Sequence, residues 1–150
     1  MPALTPAQGA LLDEARRAVL ATARADGRPR LVPITFAHAA DADALTLYSP
    51  LDEKPKSVAD PRRLARVRDI LDRPHVAVLV DRWSEDWSAL AWLRLDGLAA
   101  LVEPAAGAAV EHGRAVALLR ERYAQYAEQR LSGRPLIRIA VESISGWSAA

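Results

Sequence analysis

The sequence has no cysteine, and this absence excludes several kinds of chemistry. Disulfide bonds, thiolate nucleophiles and cysteine-ligated metals all require that side chain. A chain without it suits a reducing compartment, and we expect a cytoplasmic protein. Long apolar runs are also lacking, since none approaches the roughly 18 residues of a membrane-spanning helix. The first residues, Met1 to Pro6, do not have the basic and then apolar layout of a signal peptide.

Neither sign of charge predominates. The chain has 20 Lys and Arg against 19 Asp and Glu, which gives a formal net charge of +1. Nucleic acids and anionic membranes are bound by concentrated basic surfaces, so this balance predicts neither of them as a partner. Apolar material is plentiful: 51% of the 150 residues are hydrophobic, enough for one core of ordinary size. We therefore expect a single domain over residues 1–150.

Familiar catalytic motifs are missing as well. There is no glycine-rich dinucleotide or phosphate loop, no Gly-x-Ser-x-Gly, and no His-Glu-x-x-His or other metal-ligand spacing. The three histidines, His38, His75 and His112, fall in different predicted elements, and we expect loop or surface positions for them. The sequence thus assigns neither a catalytic side chain nor a metal site.

Hydrophobic periodicity and turn residues divide the chain into helices and strands. Thr5-Pro6-Ala7-Gln8 has the form of a capping box, and Asp26-Gly27 is typical of a hairpin turn. Gly97 interrupts a long extended run and indicates a bulge or bend there. Helices are predicted at residues 6–17, 60–72 and 105–131. Strands are predicted at residues 19–22, 31–36, 45–48, 75–80, 89–102 and 136–141, the last one continuing toward Trp147.

Strands joined by hairpins and interspersed with helices favour an α+β fold that is mainly antiparallel β. The helices then pack outside a barrel or sheet. The fourth strand, residues 75–80, is almost wholly apolar, which predicts a strand buried on both faces.

Basic residues concentrate after the third strand. Six Lys and Arg lie between Lys54 and Arg68, against the single acid Asp60. Such a segment suits a phosphate or a polyanionic tail, with the hydroxyls of Ser49 and Ser57 as further donors. The alternative is a solvated helix face whose cations pair with nearby acids, and the residues alone leave both interpretations open.

Two further features have a functional and a structural interpretation each. Pro33 interrupts a good strand, which places that strand at an edge or opens its main chain to a ligand. Trp83, Trp87 and Trp92 offer flat apolar surfaces for ring stacking or a subunit contact, whereas core filling would explain Trp87 and Trp92 equally well.

Short motifs in a fixed order run from about residue 13 to residue 141. With them, the chain resembles the pyridoxamine-phosphate-oxidase-like split-barrel proteins, and in particular their branch that uses the deazaflavin coenzyme F-420. The motifs are Leu20-Ala21-Thr22, Asp26-Gly27-x-Pro29-x-x-x-Pro33-Ile34, Leu47-Tyr48-Ser49, Lys54-x-Lys56, Arg66-Val67-x-x-Ile70-Leu71-x-x-Pro74-x-Val76-Ala77 and Trp83-x-Glu85-Asp86-Trp87.

The resemblance implies a six-stranded split β-barrel, also called the FMN-binding split barrel, with flanking helices. It further implies a homodimer whose cofactor grooves lie between the subunits. The expected activity is an oxidoreductase that transfers a hydride between coenzyme F-420 and a small organic acceptor, the cofactor carrying the chemistry. FMN on the same fold is the alternative cofactor, and a non-catalytic carrier of a flavin or deazaflavin is the alternative function.

By position, the resemblance also implies a set of cofactor-binding residues. Lys54 and Lys56 would hold the phosphate, and the strand around residues 30–35 would line the ring system with its main chain. Trp92 or Arg94 would reach the groove from the fifth strand. The full expected set is Arg30, Pro33, Ile34, Thr35, Ser49, Pro50, Lys54, Lys56, Trp92 and Arg94.

Overall fold

A computed structural model describes residues 3–41, 44–51 and 60–149. This part of the chain forms one antiparallel sheet of seven strands with three α-helices. The helices are α1 (Pro6–Glu14), α2 (Ala65–Asp72) and α3 (Ala109–Arg122). The strands are β1 (Ala18–Ala23), β2 (Pro29–Ile34), β3 (Ala37–Ala40), β4 (Leu45–Pro50), β5 (His75–Arg82), β6 (Ala91–Val102) and β7 (Leu136–Ser148). Short 3₁₀ turns lie at Pro61–Arg63, Trp87–Ala89, Ala106–Ala108 and Ala124–Ala127.

The strand order explains the shape of the sheet. The order is β2-β1-β5-β6-β7-β4-β3, so β2 and β3 are the two edges, yet only Thr35 and Phe36 connect them. Three peptide steps span at most about 11 Å, so the sheet must curl until its edges approach each other. The edges do not pair with each other, and the barrel is open between them. This is consistent with a split barrel and confirms the α+β class.

The predicted number of six strands was wrong by one. The additional strand is β3, whose sequence Ala-His-Ala-Ala lacks the β-branched and aromatic residues that mark strands. It forms because Ala37 to Ala40 pair with Tyr48 to Leu45. Tertiary pairing has overridden a weak local preference.

All three predicted helices were too long, and the one predicted at residues 60–72 is α-helical only from Ala65, after a separate 3₁₀ turn at Pro61–Arg63. Helix α1 ends at Glu14, and the predicted helix 105–131 is helical by α-criteria only from Ala109 to Arg122. Tyr123 takes an extended conformation (φ −125°, ψ 110°) and turns the chain out of the helix. The tyrosine then forms contacts with the barrel, described below.

Strand β5 is buried on one face only, which corrects the prediction of a strand buried on both faces. Val76, Val78 and Val80 point into the core, whereas Leu79 on the other face keeps 42% of its surface exposed. The inner face of the curled sheet forms the main core, around Leu20, Phe36, Leu47, Leu93, Leu95 and Ile139.

Local turn and cap signals were predicted correctly. The Thr5 hydroxyl accepts from the Gln8 backbone N–H at 3.2 Å, and the Gln8 side chain accepts from the Thr5 N–H at 3.0 Å. This reciprocal pair is the capping box. Gly27 in the β1–β2 hairpin has φ +85°, a conformation that glycine adopts without steric cost.

A β-bulge interrupts the β6–β7 pairing at Gly97, as the sequence indicated. The register shifts between Asp96 and Gly97, and the two backbones approach each other closely there. A Cβ placed on Gly97 would lie 2.3 Å from the carbonyl oxygen of Ala140. No side chain fits this position unless the two long central strands separate.

A buried carboxylate joins α2 to the barrel. The Asp69 side chain is 7% exposed and accepts from the Thr22 hydroxyl at 2.7 Å and from Arg30 Nε at 2.8 Å. Arg73 lies 3.8 Å away on its other side. Burial on its own would raise the pKa of Asp69, but these hydrogen bonds and the charges of Arg30 and Arg73 hold the pKa below its ordinary value. Helix α2 is therefore fixed to β1 and β2 by an ionised group.

The close approach at Gly97 leads to a stability prediction. Gly97→Ala should lower the free energy of unfolding by about 2–3 kcal/mol, because overpacking against main-chain atoms forces backbone shifts. Urea unfolding followed by far-UV circular dichroism measures the change. Gly113→Ala is the control: it lies in α3 with open space around it and should stabilise by up to about 1 kcal/mol. Equal stability of Gly97→Ala and the wild type would contradict the packing argument.

The ionised Asp69 predicts a dependence on pH. Asp69→Asn should destabilise the protein by about 1.5–3 kcal/mol at neutral pH, the usual worth of hydrogen bonds to a charged group. A depressed folded-state pKa gives stability that is complete above the unfolded value of about 3.9 and disappears as the pH falls below it. The deficit of the variant relative to wild type should therefore shrink in urea titrations run at successively lower pH.

Asp72→Asn provides the comparison for that experiment. Asp72 is on the same helix, but its side chain is 69% exposed. Its contact with Arg73 is a long ion pair of 3.9 Å. Its substitution should change the unfolding free energy by less than about 0.5 kcal/mol at any pH. A deficit for Asp69→Asn that stays constant with pH would show that the carboxylate charge is not the source of the stability.

Candidate functional site

Three of the residues predicted from the sequence come together where β4 ends. The β3–β4 register ends with the pair Ala37 and Tyr48, which Thr35 and Phe36 precede on one strand and Ser49 and Pro50 follow on the other. Ser49 is 1% exposed, and Pro50 is buried too. We call this place the β4 corner: Thr35, Phe36, Ser49, Pro50 and Leu51.

Two tyrosines after α3 hold the β4 corner. The hydroxyls of Thr35 and Tyr126 are 2.7 Å apart, and the Tyr123 hydroxyl accepts from the Phe36 N–H at 3.1 Å. The two rings contact each other edge to face at 5.6 Å between centroids. The sequence showed both tyrosines only as part of a helical apolar pattern. Their contacts, across 87 to 91 residues of chain, had no local signal.

Arginine side chains surround the same corner. Arg134 Nε donates to the carbonyl of Leu51, and a cleft of about 610 Å³ alongside is lined by Arg120, Arg130 and Arg134 with Glu128. Arg120 also donates to the carbonyls of Tyr126 and Gln129, so its role is at least partly structural. The basic groups next to the β4 corner thus include arginines that sequence reasoning did not assign to the site.

The lysines expected at a phosphate, Lys54 and Lys56, lie outside the described residues. The structure does show how the chain arrives at their segment and leaves it. It enters from Leu51, whose carbonyl is bonded to Arg134, and resumes at Asp60, which caps the turn at Pro61–Arg63. The placement of Lys54 and Lys56 at a phosphate therefore stays a prediction.

Part of the basic segment is paired with acids. Arg62 makes two bonds to Glu103, at 2.6 and 3.1 Å, and a weaker one to Asp60 at 3.4 Å. The bonds to Glu103, and to a smaller extent the one to Asp60, raise the pKa of Arg62, and the bonds from Arg62 lower the pKa of Glu103. For Arg62 the structure therefore favours the alternative in which the basic side chains pair with nearby acids. Its main partner is Glu103, which directly follows β6.

The residues expected from β2 point in different directions. Arg30 is bonded to Asp69 and lines a cleft of about 320 Å³ with Arg24, Arg68 and Arg73. Ile34 lies in the core, so only its main chain is available for a ligand. Pro33 is exposed on a strand at the edge of the sheet, which is the structural interpretation of its position.

Trp92 and Arg94 lie on the outer side of the curled sheet. Arg94 donates to Asp96 at 3.3 Å and to Ser145 at 3.1 Å, and Trp92 stands opposite Trp147 across the β6–β7 pair. Apolar side chains are exposed on this same side along four strands, and we call them the outer face. They are Leu31 (67%), Leu79 (42%), Trp92 (37%), Leu98 (37%) and Trp147 (50%).

Core filling, one of the two interpretations given to the tryptophans, was wrong. Trp83 and Trp87 are 67% and 68% exposed in the β5–β6 connection, and Trp92 is on the outer face. The expected positions of the histidines were right for His75, which is exposed, and wrong for His112, which is 3% exposed. His112 Nε2 lies 2.5 Å from the Arg134 carbonyl, so this nitrogen is the donor. His38 is half-buried on β3 and contacts Asp13 at 2.9 Å.

Tyr48 on β4, Glu111 on α3 and Arg138 on β7 form a hydrogen-bonded cluster. Tyr48 donates to Glu111 at 2.9 Å, and Arg138 donates to the other oxygen of Glu111 at 2.8 Å. Burial and the bond to Glu111 raise the pKa of Tyr48 to about 12. The phenol therefore stays protonated at neutral pH, as a hydrogen-bond donor and not as a base.

The part of the chain that the structure describes has neither a cluster of metal-binding side chains nor a membrane-spanning helix. Within it, no three His, Asp or Glu side chains are placed to hold a metal ion together. No helix there is long and apolar enough to cross a bilayer.

Several solved structures share this fold. An FAD-binding protein from Mesorhizobium loti is 23% identical, with a TM-score of 0.66 over 95% of this chain and 94% of its own. The haem storage protein HutZ from Vibrio cholerae is 18% identical, with a TM-score of 0.65 over 99% and 95%. An F-420 reductase is 20% identical, with a TM-score of 0.59 over 95% and 98%. At these identities the likeness concerns the fold.

Sequence comparison identifies the family. No curated protein sequence matches the chain. The sequence profile of the family described as pyridoxamine 5'-phosphate oxidase matches residues 4–148, which is nearly the whole chain. The strand order, the open barrel edge and the match across all seven strands agree, and the chain belongs to the pyridoxamine 5'-phosphate oxidase family.

Proposed function

We propose that this protein is an oxidoreductase that uses coenzyme F-420 and transfers a hydride to or from a small organic acceptor. The observation that carries the proposal is the family match over residues 4–148. The motifs Lys54-x-Lys56 and Trp83-x-Glu85-Asp86-Trp87, which resemble the deazaflavin branch, favour F-420 over FMN. A structural neighbour that is an F-420 reductase is consistent with this choice.

The described residues fit such a cofactor at the β4 corner. Its phosphate would be held by Lys54 and Lys56, in the segment that begins one residue after Leu51. Arg134, which donates to the Leu51 carbonyl, and the arginine-lined cleft that it borders place positive charge at the start of this segment. Charge-assisted bonds from Lys and Arg are the strong way to bind phosphate.

The ring system would lie against β2 and a part of the outer face. Among the strands that the structure describes, none pairs with the outer edge of β2, which leaves its main-chain groups around Pro33 and Ile34 to face a ligand. Trp92 and Arg94 would complete the site, from the same subunit or from a second one.

The side chains of this protein would bind and orient, while a bound deazaflavin supplies a ring carbon that carries the hydride. Two acids with little exposure, Asp69 and Glu111, are consistent with a binding role for the side chains. Asp69 is held by Thr22 and Arg30, and Glu111 by Tyr48 and Arg138. Carboxylates committed in this way build structure and are poorly suited to general acid–base catalysis.

We further propose that the protein is a homodimer that covers the outer face. Five large apolar side chains are exposed on one side of the sheet, with the charged Arg94 and Asp96 between two of them, and exposed apolar surface of this kind marks a protein interface. A symmetric copy is the partner expected for such a patch, since most soluble oligomers are closed homodimers.

The cofactor proposal can be tested through the lysines, because Lys54 and Lys56 are the only two in the chain. Lys56→Ala should weaken F-420 binding by about 10- to 100-fold, the loss of one charge-assisted contact. Titrations of F-420, FMN and FAD, followed by fluorescence, give the dissociation constants. Arg28→Ala removes a cation that is 75% exposed in the β1–β2 turn and should leave them unchanged.

The outcomes of these titrations separate the alternatives. Tight FMN binding with weak F-420 binding would show that the protein is an FMN-dependent oxidoreductase on the same fold. Binding of a cofactor without turnover of any acceptor would favour a carrier. If none of F-420, FMN and FAD binds, the proposed function is wrong.

The dimer proposal predicts that a charge on the outer face separates the subunits. Leu79→Arg should convert a dimer into a monomer in sedimentation velocity, because a buried unpaired guanidinium is costly in an interface. Val110→Arg is the control, since Val110 is 68% exposed but lies on α3, away from the outer face. A wild-type protein that sediments as a monomer would refute the proposal directly.

A further inference from the structure

A cleft of about 340 Å³ opens between α1 and the end of the β6–β7 pair. Of the site residues predicted from the sequence, only Trp92 is in its lining. Helix α1 contributes Ala7, Gln8 and Leu11 to its lining. The strands contribute Trp92, Gly146 and Trp147. This lining is mainly apolar, and apart from Gln8 the helix side chains facing it are small or aliphatic.

The two tryptophans give the cleft a flat aromatic border. Trp92 and Trp147 are opposite each other in the β6–β7 register and remain 37% and 50% exposed. Leaving so much indole surface in water is unfavourable by about 25 cal/mol for each Å². Aromatic rings stack on such surfaces in offset or edge-to-face geometry, which favours a flat ring as the occupant.

Glycine at position 146 lets the Gln8 amide lie close against β7. A Cβ there would lie 3.0 Å from the Trp92 carbonyl oxygen and 3.3 Å from Gln8 Nε2. A side chain at residue 146 would therefore push the Gln8 amide away from its place at the cleft.

The Gln8 amide supplies a hydrogen-bond donor to the cleft. Its Oε1 is used by the Thr5 N–H in the capping box, which fixes the orientation of the amide group. Its Nε2 has no hydrogen-bond partner among the residues that the structure describes. An NH₂ group held in this way selects an acceptor such as a carbonyl oxygen.

The cleft favours an uncharged ligand. Arg82 is part of the lining, but its guanidinium is bound to Glu14 at 2.6 Å and contacts the Ala89 carbonyl. Among the described lining residues, no other side chain is ionisable. A charged ligand would lose its hydration without gaining a counter-charge.

We propose that this cleft binds a flat, uncharged aromatic compound with a carbonyl oxygen directed at Gln8, and that it is the site of the hydride acceptor. The second clause rests on the proposed function, with Trp92 as the wall shared between cofactor and acceptor. Both tryptophans also belong to the outer face, so a second subunit covering that face would border the open side of the cleft.

The test uses prodan, a neutral naphthalene with one ketone whose emission shifts to the blue in apolar surroundings. It is titrated into the purified full chain without any cofactor. Trp147→Ala removes the aromatic border and should weaken prodan binding by about 3- to 10-fold, the worth of one aromatic pair. Trp87→Ala removes a tryptophan that is 68% exposed outside the cleft and should leave binding unchanged.

Gln8→Glu tests the polar contact separately. Glutamate at this position still accepts from the Thr5 N–H, so the capping box is retained while the NH₂ donor is lost. Prodan binding should weaken by about 3- to 10-fold, and binding of 2-ethylnaphthalene, which has no carbonyl, should not weaken more than 2-fold. Gln8 is not on the outer face, so this variant also reports on the cleft if Trp147→Ala alters assembly.

Two results would overturn the inference. One is prodan binding that neither Gln8→Glu nor Trp147→Ala weakens relative to Trp87→Ala. The other is a loss of F-420 or FMN binding in Gln8→Glu in parallel with the loss of prodan, since the cleft would then hold the cofactor. Selective loss of prodan supports the inference. Because prodan binding is measured without cofactor, failure of the proposed function would not imitate either result.

Discussion

The short connection between β2 and β3 is the constraint on which the rest of this structure depends. Two residues, Thr35 and Phe36, join strands that lie at opposite edges of a seven-stranded sheet. The sheet must curl to satisfy this link, and curling gives it an enclosed inner face and an exposed outer one. The link is itself held by Tyr123, Tyr126 and the guanidinium of Arg122, which lies 4.8 Å from the centre of the Phe36 ring. The β4 corner exists because these contacts fix it.

What the sequence predicted correctly depends on neighbouring residues. The capping box at Thr5 and Gln8, the Asp26-Gly27 turn and the bulge at Gly97 each have a cause within a few residues of chain. Strand β3 was missed because its alanines carry no strand preference and only pairing with β4 makes them extended. The end of α3 was missed for a similar reason, since Tyr123 leaves the helix to reach Phe36, 87 residues away.

The sequence predicted the family of the protein correctly, but it did not predict most side-chain contacts of the candidate site. Resemblance placed the chain in the family that the sequence profile also identifies. Arg30 was expected near a cofactor, but its partner Asp69 comes from another element 39 residues away. The basic segment looked uniform in sequence, yet Arg62 is paired with Glu103, 41 residues away. The sequence gives the number of charged residues in a segment, and only the fold shows which of them are paired with an opposite charge.

The exposure of the tryptophans has a consequence for spectroscopy. All four, Trp83, Trp87, Trp92 and Trp147, lie at the surface, while Tyr48 and Tyr126 are buried. Indole emission from a single copy of this chain should resemble that of indole in water before any unfolding takes place. It is a poor reporter of the core and a good one of whatever covers the surface. A blue shift at higher protein concentration would signal association, whereas loss of the core is better followed through tyrosine and the peptide bond.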